Sequence, residues 1–190
     1  MFYLFRRRFQ QSYSKMALCG DVSKFFIIGS VLQTLALVLH IIGLASPYWV
    51  YFEDVEDDFK RKSNAGLWLA CDIISDGSQH INTCTYTSSS ELDWFKAVQA
   101  FACLGLIFLL FGIVALAVKR CMDKASILYL SAGLTFAGAV CILITIAVYA
   151  AKITDLGISG YLHFAFAFCI IAMILAIPAG IFIIIEASKK

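Results

Sequence analysis

Four long apolar runs, at residues 25–45, 96–118, 127–151 and 161–185, constrain this chain more than any other feature. At about 1.5 Å of rise per residue, even the first spans about 31 Å, enough for a bilayer's hydrocarbon core. Sixty-one percent of the 190 residues are hydrophobic and 15% are charged. A soluble domain of this size has no interior large enough to hide that much apolar surface, so the expectation is a membrane protein with four spans. The first run is too long for the apolar region of a cleaved signal peptide, and Arg6, Arg7 and Arg8 lie well upstream of it.

The runs divide the rest of the chain into an arm (1–24), a loop of about fifty residues (46–95), a short turn (119–126), a second loop (152–160) and a short tail (186–190). Basic residues orient these segments. With both termini inside, the inner segments carry Arg6, Arg7, Arg8, Lys15, Lys24, Lys119, Arg120, Lys124, Lys189 and Lys190. The outer ones, with Lys96 at the outer edge of the second run, carry Lys60, Arg61, Lys62, Lys96 and Lys152. Ten against five places the large loop outside and both termini in the cytoplasm. The basic arm reads as a topology signal that also suits anionic lipid headgroups. Met16 offers a second start.

The large loop is the part the spans present. Asp76-Gly77-Ser78 is turn chemistry, since Gly tolerates a positive φ and Asp can bond its own backbone. A hairpin centred between Gly77 and Ser78 makes Cys71 and Cys84 equidistant from the turn, hence opposite each other on paired strands. Directly opposed Cβ atoms lie roughly 4.5–5.5 Å apart, near the reach of a disulfide. These are the two cysteines of seven in the large polar loop, on the oxidising side, so they are expected to be bonded. A zinc site of Cys71, His80 and Cys84 is disfavoured for the same reason. Tyr48–Phe52 reads as a first strand. Glu53, Asp54, Glu56, Asp57 and Asp58 form an acidic cluster with Lys60, Arg61 and Lys62 as its counter-cluster. The acidic residues are candidates for cation selectivity in a pore, weighed against a solvated, partly neutralised loop.

Within the spans, Gln33 and His40 fall seven residues apart and share a face expected to point into the bundle. His40 is expected as a hydrogen-bonded packing residue rather than a proton or ion site. Pro178 is expected to kink the last helix, and Gly133/Ala137 and Ala176/Gly180 suit close helix packing. Cys19 and Cys121, at the cytoplasmic membrane edge, are candidates for palmitoylation. Scattered histidines and the lack of a glycine-rich phosphate loop leave no catalytic constellation. No enzyme activity, cofactor, metal or nucleic-acid partner is expected.

Trp49, then Gly66-Leu67-Trp68 with Cys71, then Cys84, all between the first two of four spans, form a pattern that resembles the claudin superfamily with its peripheral myelin protein and epithelial membrane protein branches. Val98-Gln99-Ala100-Phe101 looks nearest the epithelial membrane protein branch. The resemblance implies a mainly α membrane fold: a left-handed four-helix bundle carrying a small extracellular antiparallel sheet, with Trp49, Leu67 and Trp68 anchoring the sheet to the bundle. It further implies a plasma-membrane protein of cell–cell junctions that self-associates in the membrane and across the cell gap as a barrier, selective pore or adhesive contact. The alternatives are an auxiliary subunit of another membrane protein, such as a channel, and an organiser of adhesion, growth or trafficking. The Ser188-Lys189-Lys190 ending departs from the PDZ-binding tail of many claudins.

Overall fold

The computed structural model describes residues 23–56, 59–76, 79–87, 93–122, 124–155 and 161–189. Helix α1 (Lys24–Ala45) leads into four strands, β1 (Val50–Glu56), β2 (Phe59–Ala65), β3 (Leu69–Asp76) and β4 (Gln79–Tyr86). Helices α2 (Asp93–Cys121) and α3 (Ala125–Asp155) follow, then strand β5 (Tyr161–Leu162) and helix α4 (Phe164–Ala187). All four helices are long and apolar enough to cross a membrane. Ser23 caps α1, its hydroxyl oxygen accepting the Phe25 N–H at 3.3 Å.

Each helix buries one seam, and the seam repeats every seven residues. On α2 it runs Val98, Ala102, Gly105, Leu109, Gly112 and Leu116; on α3 Leu128, Ser131, Thr135, Gly138, Ile142 and Thr145. On α1 it is Phe26, Gly29, Gln33, Ala36, His40 and Gly43, and on α4 Ala165, Cys169, Ala172, Ala176, Ala179 and Ile183. A seven-residue repeat stays in register only if the helices coil left-handedly around one another. The chain is therefore a left-handed, up-and-down four-helix bundle. Many seam residues are small or polar, whereas Ile27, Val31, Leu110, Phe111, Leu130 and Ile174 face outward. Lipid tails are as apolar as leucine, so association rests on close fit, and small residues allow the backbones to approach.

The fit is tightest between α1 and α4. A Cβ at Gly43 would lie 2.5 Å from Cys169 Sγ and 2.8 Å from the Ala165 carbonyl. At the other end of that interface, a Cβ at Gly29 would meet Ile183 at 2.9 Å. Across the α1–α2 interface two polar side chains sit against two glycines. Gln33 nests in the hollow left by Gly112, and the His40 ring lies against Gly105, where Nε2–H donates to the Ala102 carbonyl at 2.9 Å. Ser131 closes the α2–α3 side by donating to the Gly112 carbonyl at 2.8 Å.

Of the two small-residue pairs read from the sequence, one packs. Gly180 receives the Phe136 ring, whose carbons come within 2.8–3.1 Å of a Cβ built there, and Ala176 is fully buried. Gly133 has nothing within 4 Å and faces outward. Spacing along one helix does not say which face meets a neighbour. Pro178 lies inside α4.

The sheet is antiparallel in the order β4-β3-β2-β1-β5. The first strand is Val50–Glu56 rather than Tyr48–Phe52, and the basic run Lys60–Lys62, read from the sequence as a counter-cluster, lies within β2. Charged residues have poor strand propensity, but opposite charges directly across a ladder stabilise it. The register supplies one such pair, Glu53 with Lys62, and sets Asp54 across the ladder from Arg61 along the backbone. Tyr161–Leu162, at the head of the fourth apolar run, pairs with Val50 and Tyr51 instead of entering the helix.

These packing differences predict opposite outcomes for two glycines. Gly43→Ala should destabilise by about 1–3 kcal/mol, because the new methyl meets a backbone carbonyl. Gly133→Ala should be neutral or slightly stabilising, since it meets nothing and gains helix propensity. Thermal unfolding of the two variants in one detergent measures the contrast; equal midpoints would contradict the seam assignment.

Candidate contact surface and its anchor

The sheet hangs on Trp49, which lies between α1 and β1 and is fully buried. Its indole N–H donates to the Gly43 carbonyl at 2.7 Å, near the end of α1. Its ring meets Tyr149 of α3 edge-on at 4.9 Å between centroids and Phe166 of α4 at 5.7 Å. Its backbone belongs to the sheet end: the Trp49 N–H donates to Ala65 at 3.1 Å, and the Trp49 carbonyl accepts the His163 N–H at 2.9 Å. Trp94 of α2 extends the aromatic layer, 5.4 Å from Phe95 and 6.4 Å from Tyr149. One side chain thus touches three helices while its main chain holds both β2 and the lead-in to α4.

Gly66 and Leu67 make the second attachment. Any Cβ at Gly66 would collide with the Ser46 carbonyl and lie 2.6 Å from Pro47 Cα, so this turn needs glycine for want of space. Leu67 is fully buried, and its carbonyl accepts from Gln99 Nε2 of α2 at 2.7 Å. Asn64, also buried, donates from Nδ2 to the Pro47 carbonyl at 3.3 Å. Trp68 corrects the expectation of a third anchor: it is 39% exposed. Leu67 fills the space under the turn and the chain reverses direction there, leaving Trp68 on the surface, where its carbonyl accepts the Thr87 N–H.

Cys71 and Cys84 are partners in the β3–β4 register and are joined by a disulfide, with Cα atoms 4.0 Å apart. The Gly77-Ser78 turn lies outside the described residues, but the pairing of Asp76 with Gln79 brackets it. The centre of the sheet is tied by charge. Arg61 reaches Asp72 at 3.2 Å, Lys62 reaches Glu53 at 3.5 Å, and the Ser63 hydroxyl donates to Asp72. The Ser63 hydrogen bond, helped by Arg61, holds the Asp72 carboxyl below the usual carboxylate range. Of the acidic candidates, Glu53 is therefore paired, Asp54 and Glu56 lie in β1, and Asp57 and Asp58 fall outside the described residues. Cys121 is exposed at the far end of α2, and Cys19 also lies outside the described residues. Among the described residues no group of His, Cys, Asp or Glu could hold a metal ion.

The two sheet edges differ. On one side β5 covers Val50 and Tyr51, and the rest of β1 carries Glu53, Asp54 and Glu56. On the other, β4 reads Gln79-His80-Ile81-Asn82-Thr83-Cys84-Thr85-Tyr86, eight residues without Asp, Glu, Lys, Arg or Pro. Charge, proline and short length are the usual means of keeping an edge from pairing with another chain. The β1 edge has such a guard and the β4 edge does not. Ile81 and Tyr86 are exposed there, Tyr86 by 85%.

Sequence reasoning did not find Tyr149, Phe166, Asn64 or β5. They lie far apart in the chain and meet only around Trp49 and Gly66. Compared with known proteins, residues 21–183 match a family model described as the PMP-22/EMP/MP20/Claudin family. No curated protein matches at a significant level.

Two outcomes follow from the sheet's ties. Replacing Cys71 and Cys84 together by Ser should ease opening of the β3–β4 pair by about 3 kcal/mol, the value for a loop of this length. Amide exchange at β3 and β4 reads that change, and unaltered protection would refute it. Asp72 titrates lower in the fold than in the open chain, so its contribution is present above the ordinary carboxylate range and is lost as pH falls through the depressed value. Wild-type protein should lose sheet protection on acidification with an extra step that Asp72→Asn lacks; identical acid profiles would rule the linkage out.

Proposed function

The chain belongs to the PMP-22/EMP/MP20/Claudin family, and from that premise we propose that it is a multi-pass plasma-membrane protein of cell–cell contacts, both termini cytoplasmic, which associates with further copies of itself through its outer sheet. The observation that carries the reading is the β4 edge, eight residues without charge or proline at the end of a sheet tied to the bundle by Trp49 and Leu67. A free strand edge adds another strand through main-chain hydrogen bonds. The tie to the bundle turns such pairing into contact at a fixed height above the bilayer. The acidic β1 edge would repel its own copy, which leaves β4 as the edge for self-pairing. The disulfide and the excess of basic residues at the opposite end support an outer location for the sheet.

The reading is a sealing or adhesive contact first and a selective pore second. Cross-strand pairing with β2 gives the acidic row a structural use, since it sets the register of β1. In the pore form Glu53, Asp54, Glu56, Asp57 and Asp58 favour cations, with Glu53 the weakest contributor because Lys62 lies against it. Acylation of Cys121, exposed at the inner membrane edge, would tether the α2–α3 turn.

Expression in cells that lack junctions tests the proposal. The protein should concentrate at cell–cell borders. Thr83→Lys with Thr85→Lys, which places two charges on the β4 edge, should abolish that enrichment while the protein still reaches the surface. Diffuse surface staining of the unaltered protein would reject the contact role, and co-purification of a stoichiometric channel would select an auxiliary subunit instead.

A further inference from the structure

At the end of the bundle opposite the sheet, three helices bring cationic side chains to the start of α1. Lys189, two residues past the end of α4, places Nζ 3.7 Å from the centroid of the Phe25 ring, and Arg120 of α2 lies over Phe26 at 5.8 Å. Lys24 precedes both rings and is exposed, as are Arg120 and Lys189. Phe25 is itself braced by Phe182 of α4, with ring centroids 6.1 Å apart. None of the three cations has a carboxylate partner among the described residues. Glu186, the one carboxylate described at this end, is buried and pairs with none of them.

An aromatic face holds a cation in place without neutralising it, and the N–H donors turned away from the ring stay available. Here two adjacent rings position two cations, and a third, Lys24, is the residue that precedes those rings in the chain. The patch adjoins a largely apolar surface, with Ile27 and Ile28 exposed on α1 and Ile181, Ile184 and Ile185 on α4. Tyr129 of α3, half exposed, pairs its hydroxyl with Ser188 at 3.3 Å next to Lys189, the placement of a tyrosine at headgroup level. Positive charge at headgroup depth, continuous with an apolar wall below it, matches a molecule with an anionic head and hydrocarbon chains. An acidic peptide would satisfy the charge and leave the wall unused.

We infer that Lys24, Arg120 and Lys189 form a binding site for the anionic headgroup of a membrane phospholipid, whose chains run down the α1–α4 face. The site stands independently of the contact role proposed for the sheet. Lys124, exposed at the same end just before α3 but over neither ring, belongs to the general positive field and not to the site.

The test uses the full chain in detergent micelles, titrated with dioctanoyl phosphatidylserine, dioctanoyl phosphatidylcholine or chain-free glycerophosphoserine, with binding followed by native mass spectrometry. Phosphatidylserine should saturate one site, and the other two should bind far more weakly. Lys24→Gln, Arg120→Gln and Lys189→Gln should each raise the half-saturating concentration about fivefold. Phe25→Leu, which keeps apolar bulk but removes the ring, should weaken binding in the same direction, and Lys124→Gln should leave it unchanged. All five residues lie at the bundle's edge, and unaltered unfolding midpoints would confirm that each variant folds. Equal binding of the two lipids, or a loss with Lys124→Gln as large as with Lys189→Gln, would overturn the site in favour of diffuse attraction. Glycerophosphoserine binding as tightly as the lipid would show a free-anion site and overturn the lipid assignment.

Discussion

Between helices in a bilayer there is no hydrophobic force to rely on, because leaving lipid for a neighbouring helix gains an apolar side chain nothing. What holds such helices is closeness of fit, and this bundle is built from that constraint outward. Gly29, Ala36 and Gly43 of α1 recur at seven-residue steps, as do Ala165, Ala172 and Ala179 of α4. Where these seams meet, the backbones approach until one added methyl would strike a carbonyl. Many of the bulky side chains, Ile27, Val31, Leu110, Phe111, Leu130 and Ile174 among them, face outward. Gln33 and His40 are admitted to the interior because Gly112 and Gly105 leave them room.

The same closeness sets where the sheet sits. Trp49 can lie at the top of the bundle, bonded to Gly43 and packed edge-to-face against Tyr149 and Phe166, because small residues bring those helix ends together around it. From that point the sheet grows by different rules. Its strands are polar and charged, and they are held by cross-strand ion pairs, one disulfide and backbone ladders. The protein therefore joins two solvents with two chemistries, and the joint is a short stretch containing Trp49, Gly66 and Leu67. That joint fixes the end of the sheet to the bundle through the Trp49 and Leu67 hydrogen bonds.

Much of this was legible in the chain itself. Length and hydropathy of the four runs required four helices, since crossing a hydrocarbon core leaves few other options. Equal spacing about Gly77-Ser78 paired Cys71 with Cys84, because hairpin register is arithmetic once the turn is known. The alternation of an acidic run and a basic run across Asp57-Asp58 held the β1–β2 hairpin, but charged strands look like solvated loops until their partner is in place.

Other features depended on contacts no local pattern encodes. The faces of Gly133 and Gly180 differ only in what lies opposite them. Trp68 and Leu67 are neighbours with opposite fates, decided by which one the space beneath the turn could take. Tyr149, Phe166 and the two residues of β5 converge on Trp49 from positions separated by as much as the length of the chain between α1 and α4. The sequence alone determined that the chain crosses a membrane four times and carries a bridged hairpin, because those follow from composition and short-range spacing. Only the tertiary structure decided which residues pack, which edge stays open and which cations share a surface, because each of these depends on a partner brought close by the fold.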